Sequence, residues 1–183
     1  MSLFFKPCEP PYSPAVREDL AGLMPPGPSP IALFRVLAHN PRILSRFRAS
    51  RLLDRGLLPA RERELLILRV SRQCGCEYEW SVHAAVFAED SGVNDADLRA
   101  TLHESVGEPL SRREQTMLAA ADELVAHRRL TSATAAAVHS TLDAAEVVEL
   151  IALVGRYVWV AMIANTAELP LEPGVVTWTG SIN

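Results

Sequence analysis

Cys74-Gly75-Cys76-Glu77-Tyr78-Glu79-Trp80-Ser81-Val82-His83 brings thiols, acids and an imidazole together at the head of what reads as a helix. At about 100° per residue, Glu79 falls about 60° from Cys76, and His83 within roughly 20–40° of both. Cys76, Glu79 and His83 therefore share a stripe, with Trp80 and Phe87 on the same side and Tyr78, Val82, Ala85 and Val86 on the other. A helix apolar on two sides is buried, so Glu79 and His83 are expected at a partly dry junction. A carboxylate there is costly unless paired or protonated, and its pKa should be displaced. The plain alternative is a structural Glu–His pair that satisfies itself.

The segment before it, Arg61-Glu62-Arg63-Glu64-Leu65-Leu66-Ile67-Leu68, puts Glu64 on the same stripe as Ile67, Leu68 and Ser71. An acid there either complements a positive helix N-terminus or orients or protonates His83 from the preceding helix. Near the other end, Arg156 interrupts the apolar run Ile151 to Ala164. It needs an anion, either a buried glutamate or a substrate carboxylate held in a bidentate grip; Arg69 is a second candidate anchor. The run is too short for a bilayer. Cys74-x-Cys76-x6-His83 lacks the paired spacing of a structural zinc site, so no metal and no cofactor are expected. The thiolate of Cys76 should be favoured by His83 and by the helix N-terminus. His39, His103, His127 and His139 fall at polar or helix-end positions, and Cys8 in a proline-rich arm has no evident role.

Outward from this centre the period stays helical, with no convincing strand. Asn40-Pro41, Pro59, Asn94 with Asp97, Ser111 with Glu114, Thr131 and Asp143 with Glu146 mark helix starts, while Gly56 and Gly92 read as stops. Helices are expected at about 14–23, 31–39, 41–55, 60–73, 76–90, 94–104, 112–128, 132–141 and 143–168. This makes an all-α bundle of eight or nine helices. Residues 1–30 read as a proline-rich arm laid over the surface of the domain or of a neighbour, 31–168 as the helical domain, and 169–183 as a tail that docks Val175, Val176 and Trp178 on another surface. With 183 residues, one domain is the default. A net charge of −4 gives no footprint for nucleic acid or an anionic membrane. No signal peptide is read at the N-terminus and the three cysteines make no disulfide framework, so a cytoplasmic location is expected. The apolar final helix, two-sided cysteine helix and tail carry more apolar surface than a small bundle buries, which points to a homo-oligomer.

Arg63-Glu64-Leu65-Leu66-Ile67-Leu68-Arg69-Val70 followed by Gly75-Cys76-Glu77-Tyr78-Glu79-Trp80-Ser81-Val82-His83, with Gly92-Val93, Val148-Glu149-Leu150 and Tyr157, resembles the carboxymuconolactone decarboxylase family, which includes alkylhydroperoxidase D-like proteins. The resemblance implies an all-helical dimer, trimer or hexamer with active sites near subunit contacts. Redox-active members use a glutamate, a C-x-x-C pair and a histidine four residues on as a proton relay for thiol peroxidase chemistry. Glu64, Cys76 and His83 match that relay, but Glu79 stands where the second cysteine would be. The dithiol cycle cannot run as written; a one-cysteine route through Cys76, resolved by Cys74 or an external thiol, is the weaker option. The decarboxylase members act on a lactone acid by acid–base chemistry. Three readings follow: an acid–base enzyme on a small carboxylated lactone, a thiol-dependent hydroperoxide reductase, or a non-catalytic assembly protein, the last favoured if the cavity at Cys76, Glu79 and His83 is closed. The expected catalytic residues are His83, Glu79, Cys76 and Glu64, and the expected substrate-binding residues Arg156, Trp80 and Arg69.

Overall fold

Polar side chains placed just ahead of apolar runs set where the helices begin. Asn94, Ser111 and Asp143 each accept from their first helical turn, while Asp97, Glu114 and Glu146 reach back to the cap N–H. These capping boxes satisfy donors that a helix start otherwise leaves open. Ser13, Asn40 and Thr131 cap with the side chain alone. The computed structural model describes residues 6–24, 27–50, 52 and 56–179. Among the described residues there are nine helices and no strand: α1 (Pro14–Leu23), α2 (Ala32–Leu37), α3 (Pro41–Ala49), α4 (Ala60–Gln73), α5 (Glu77–Val86), α6 (Asp95–Leu102), α7 (Arg112–His127), α8 (Ser132–His139) and α9 (Ala144–Thr166).

Two expected boundaries move. The helix expected over 41–55 ends at Ala49, capped by Ser50; positions 51 and 53–55 lie outside the described residues. Gly56 is therefore not a helix stop. It lies against Glu149, whose carboxylate would be struck by a Cβ there and accepts from Leu57 N–H at 2.6 Å and Leu58 N–H at 3.3 Å. The cysteine helix is also shorter than expected, since Cys76 is its N-cap and Val86 its last residue.

α4 is the central helix, packed against α5, α6, α7 and α9. Every residue from Glu64 to Ser71 is buried, including the polar ones. Arginines bind the neighbours to it. Arg61 pairs with Asp97 and Glu114, and Arg113 with Glu62 and Glu146. The proline-rich arm does more than cover a surface: α1 packs on α3 and puts Val16 and Leu20 into the core. Pro25 and Pro26 lie outside the described residues. The tail docks on its own chain. Glu172 accepts from Ala32 N–H and from the Tyr78 hydroxyl, each at 2.6 Å, and Trp178 N–H donates to Glu77.

α9 extends beyond the apolar run seen in the sequence. At 23 residues, with mean hydropathy 1.9 over its best window, it is long and apolar enough to cross a membrane by length and composition. Here it lies against α4, α5 and α7 and buries Leu150, Leu153, Val154, Tyr157, Val160, Ala161 and Ala164. Val148, Ile151 and Met162 on its outer side are exposed.

Candidate active site

The junction of α4, α5 and α9 holds an imidazole between two acids. Glu64 comes from the buried stripe of α4; Glu79 and His83 lie one turn apart on α5. His83 Nδ1 is 2.9 and 3.1 Å from the two Glu64 oxygens, and Nε2 is 3.3 Å from Glu79 Oε1. Phe87 lies over the ring with centroids 4.8 Å apart, and Tyr157 of α9 meets it edge-on at 5.3 Å. All three polar residues are sealed, at 3%, 5% and 3% exposure for Glu64, Glu79 and His83.

Burial alone would drive His83 neutral. The charge of Glu64, its hydrogen bond and that of Glu79 outweigh burial and push the imidazole pKa up to about 10. His83 is thus an imidazolium at neutral pH, donating from both nitrogens, rather than a histidine near its natural pKa. Glu79 Oε2 is buried with no hydrogen-bond partner among the described residues. Beside it, burial first, then the charges of Glu79 and Glu64, hold the Tyr157 hydroxyl well above the usual tyrosine range.

Several expected site residues take other roles. Cys76 is fully buried, and burial pushes its thiol up to about 12 against the opposing hydrogen bond from the Glu79 backbone. The expected thiolate is not favoured, because desolvation exceeds what the helix N-terminus supplies. As an N-cap with non-helical dihedrals, Cys76 also leaves the helical stripe that Glu79 and His83 share. Trp80 turns to α6, donating from Nε1 to Thr101 Oγ1 at 3.0 Å. Arg69 is wholly buried, held by both oxygens of Asp122 at 2.7 Å and by the carbonyls of Thr101, His103 and Glu104. Neither Trp80 nor Arg69 offers a group to a substrate. Arg156 stays close to the junction. It donates to Ser50 Oγ at 2.9 Å and Phe47 O at 3.4 Å, with its guanidinium 4.2 Å from the Phe47 ring centroid. Burial lowers its pKa, against Tyr157 and the charge of Glu79.

Sequence reasoning missed Tyr157 as a site residue; its position beside Arg156 in an apolar run was the available signal. His39, His103, His127 and His139 are exposed. Among the described residues, no group of three or more His, Cys, Asp or Glu is arranged to hold a metal ion. The surface grooves beside α5 and α6, at His103–Glu108, and along α3 and α9 are lined by residues other than Glu64, Glu79 and His83.

The fold and this junction define a class, an all-helical protein with a buried carboxylate–imidazole–carboxylate relay on consecutive helices. Residues 40–123 match the model of the carboxymuconolactone decarboxylase family. That segment runs from the start of α3 into α7, so it contains Glu64, Cys76, Glu79 and His83 but not Arg156 or Tyr157. No curated protein matches the chain.

Proposed function

We propose that the protein is an acid–base enzyme acting on a small carboxylated lactone, by decarboxylation or isomerisation. The observation that carries this reading is Glu79 Oε2, a buried carboxylate oxygen with no partner among the described residues, one atom away from a hydrogen bond to an imidazolium. A buried acceptor atom left without a hydrogen bond costs free energy, whereas a proton acceptor must be left open. In decarboxylation the bond to the carboxyl carbon breaks, carbon dioxide leaves, and the electron pair remains on the substrate. His83 supplies the proton that this carbon takes up, passed from Nε2 by way of Glu79, and solvent restores it. In isomerisation Glu79 removes a proton from one carbon and the relay returns one to another. Glu64, on Nδ1, fixes the ring and keeps it charged. The substrate class comes from the family.

Thiol peroxidase chemistry has less support, since Glu79 replaces the second cysteine and Cys76 is sealed and neutral. The assembly reading draws on a specific observation, the closure of Glu64, Glu79 and His83 from solvent. Self-association through the exposed outer side of α9 is part of the proposal and is compatible with either reading.

The test is turnover of a carboxymuconolactone, followed by loss of its absorbance. His83→Gln should reduce the rate about 10²–10⁴-fold, with the helical circular dichroism unchanged. If His83→Gln and Glu79→Gln both turn over like the parent, the site lies elsewhere. Consumption of cumene hydroperoxide that is lost in Cys76→Ser would put the thiol reading first, and inertness toward both compounds would leave the assembly reading.

A further inference from the structure

Most other arginines that tie helices together meet carboxylates, whereas Arg72 donates to the Leu102 carbonyl and lies over the Trp178 ring. Arg61 has Asp97 and Glu114, Arg69 has Asp122, and Arg113 has Glu62 and Glu146. Arg48 has Glu18 and Asp19. Arg156 differs. Among the described residues it donates to a hydroxyl and a carbonyl and interacts with the Tyr157 hydroxyl, and its Nε is buried with no partner there. A guanidinium is well suited to a planar, bidentate anion, and among the described residues this one is ion-paired with no carboxylate.

The space in front of it has the size and lining of a ligand site. Ala152, Arg156 and Trp159 recur at helical spacing on α9 and face Ser50 and Leu52 across a groove of about 380 Å³, within the range of small-molecule pockets. A second groove of about 360 Å³ shares Ser50 and Trp159 and adds Arg46 and Phe47. No acid is among the described lining of either groove, although the chain carries a net charge of −4. Phe47 and Trp159, with ring centroids 5.6 Å apart, form an aromatic wall beside the cation. Small residues at Ala152 and Gly155 keep this side of the helix low.

We infer that the groove between α3 and α9 is a carboxylate-binding site, in which Arg156 holds the carboxylate of a small planar-ring acid against Phe47 and Trp159. The position is informative, since the next residue, Tyr157, meets the His83 ring edge-on from the same helix. As the place where a carboxylated substrate is captured, the groove rests on the acid–base reading; as a binding site it stands without it.

The experiment titrates the full chain with benzoate, and with benzamide as its uncharged counterpart, by calorimetry and tryptophan fluorescence. Benzoate should bind and benzamide should not. Arg156→Gln should weaken benzoate about 10- to 100-fold, the loss of a charged hydrogen bond, and Arg156→Lys should recover part of it. Ala152→Phe, at an exposed position, should fill the groove and block benzoate with Arg156 intact, which covers the case of Arg156→Gln failing to fold. Equal binding of benzamide, unchanged affinity in both Arg156→Gln and Ala152→Phe, or no benzoate binding to the parent chain would each overturn the inference. His83→Gln should bind benzoate like the parent. Turnover that depends on His83 without benzoate binding would remove the groove and leave the acid–base reading, and benzoate binding without turnover would do the reverse.

Discussion

His83 holds its proton because Glu64 and Glu79 lie on opposite ring nitrogens, and the consequence for pH can be signed. Its folded pKa, about 10, lies above the free value of 6.5. A group raised on folding contributes in full below its unfolded pKa and loses that contribution as pH rises through the folded one. Stability should therefore decline between about pH 6.5 and 10, read as a falling urea midpoint, and the decline should flatten in His83→Gln. Nitrogen chemical shifts of the ring should report imidazolium at pH 8, and Glu64→Gln should move its titration to lower pH; a neutral ring at pH 8 in the parent would contradict the geometry. The Glu64–His83 pairing was legible in the sequence because both lie on apolar stripes of consecutive helices, so periodicity alone turned them inward. Trp80 and Arg69 were misplaced for a related reason. A helical wheel says that a side chain points inward but not which neighbouring helix it meets, and here α6 and Asp122 of α7 claimed them.

At the scale of elements, α4, α6 and α7 are joined by one buried cation. Arg69 is fully buried while Asp122 is partly exposed, at 27% of its side chain. Removing the acid leaves the charge to three carbonyls. Asp122→Ala should cost about 3 kcal/mol, the lower end for a broken buried pair, measured by chemical denaturation; a cost near zero would mean the carbonyls suffice. Helix starts were the most legible feature of the fold, because the boxes at Asn94, Ser111 and Asp143 are local patterns of four residues whose hydrogen bonds do not depend on the rest of the chain. Helix ends were less so. α3 stops at Ala49 although polar and apolar residues continue in helical order, and Gly56 serves the carboxylate of Glu149, 92 residues away from Leu57. No local pattern encodes that contact.

Across the whole molecule, the exposed side of α9 makes the largest demand. Val148, Ile151 and Met162 are 68%, 47% and 59% exposed, on the face opposite the residues that α9 buries. Large apolar side chains aligned along one helix mark an interface more often than a free surface. The parent should sediment as an oligomer at micromolar concentration, and Ile151→Glu should reduce its mass while leaving the helical content unchanged; a monomeric parent would remove the self-association proposal. The carboxylate of Glu172 has a different consequence. It joins the start of α2 to the hydroxyl of Tyr78 on α5, across 140 and 94 residues. A chain emerging from the ribosome completes α2 and α5 long before it can close this latch, so this link to the helix that carries the relay forms only after Glu172 has been made. Loop closure on that scale is entropically slow, and until it occurs Tyr78 and the first turn of α2 lack their carboxylate partner.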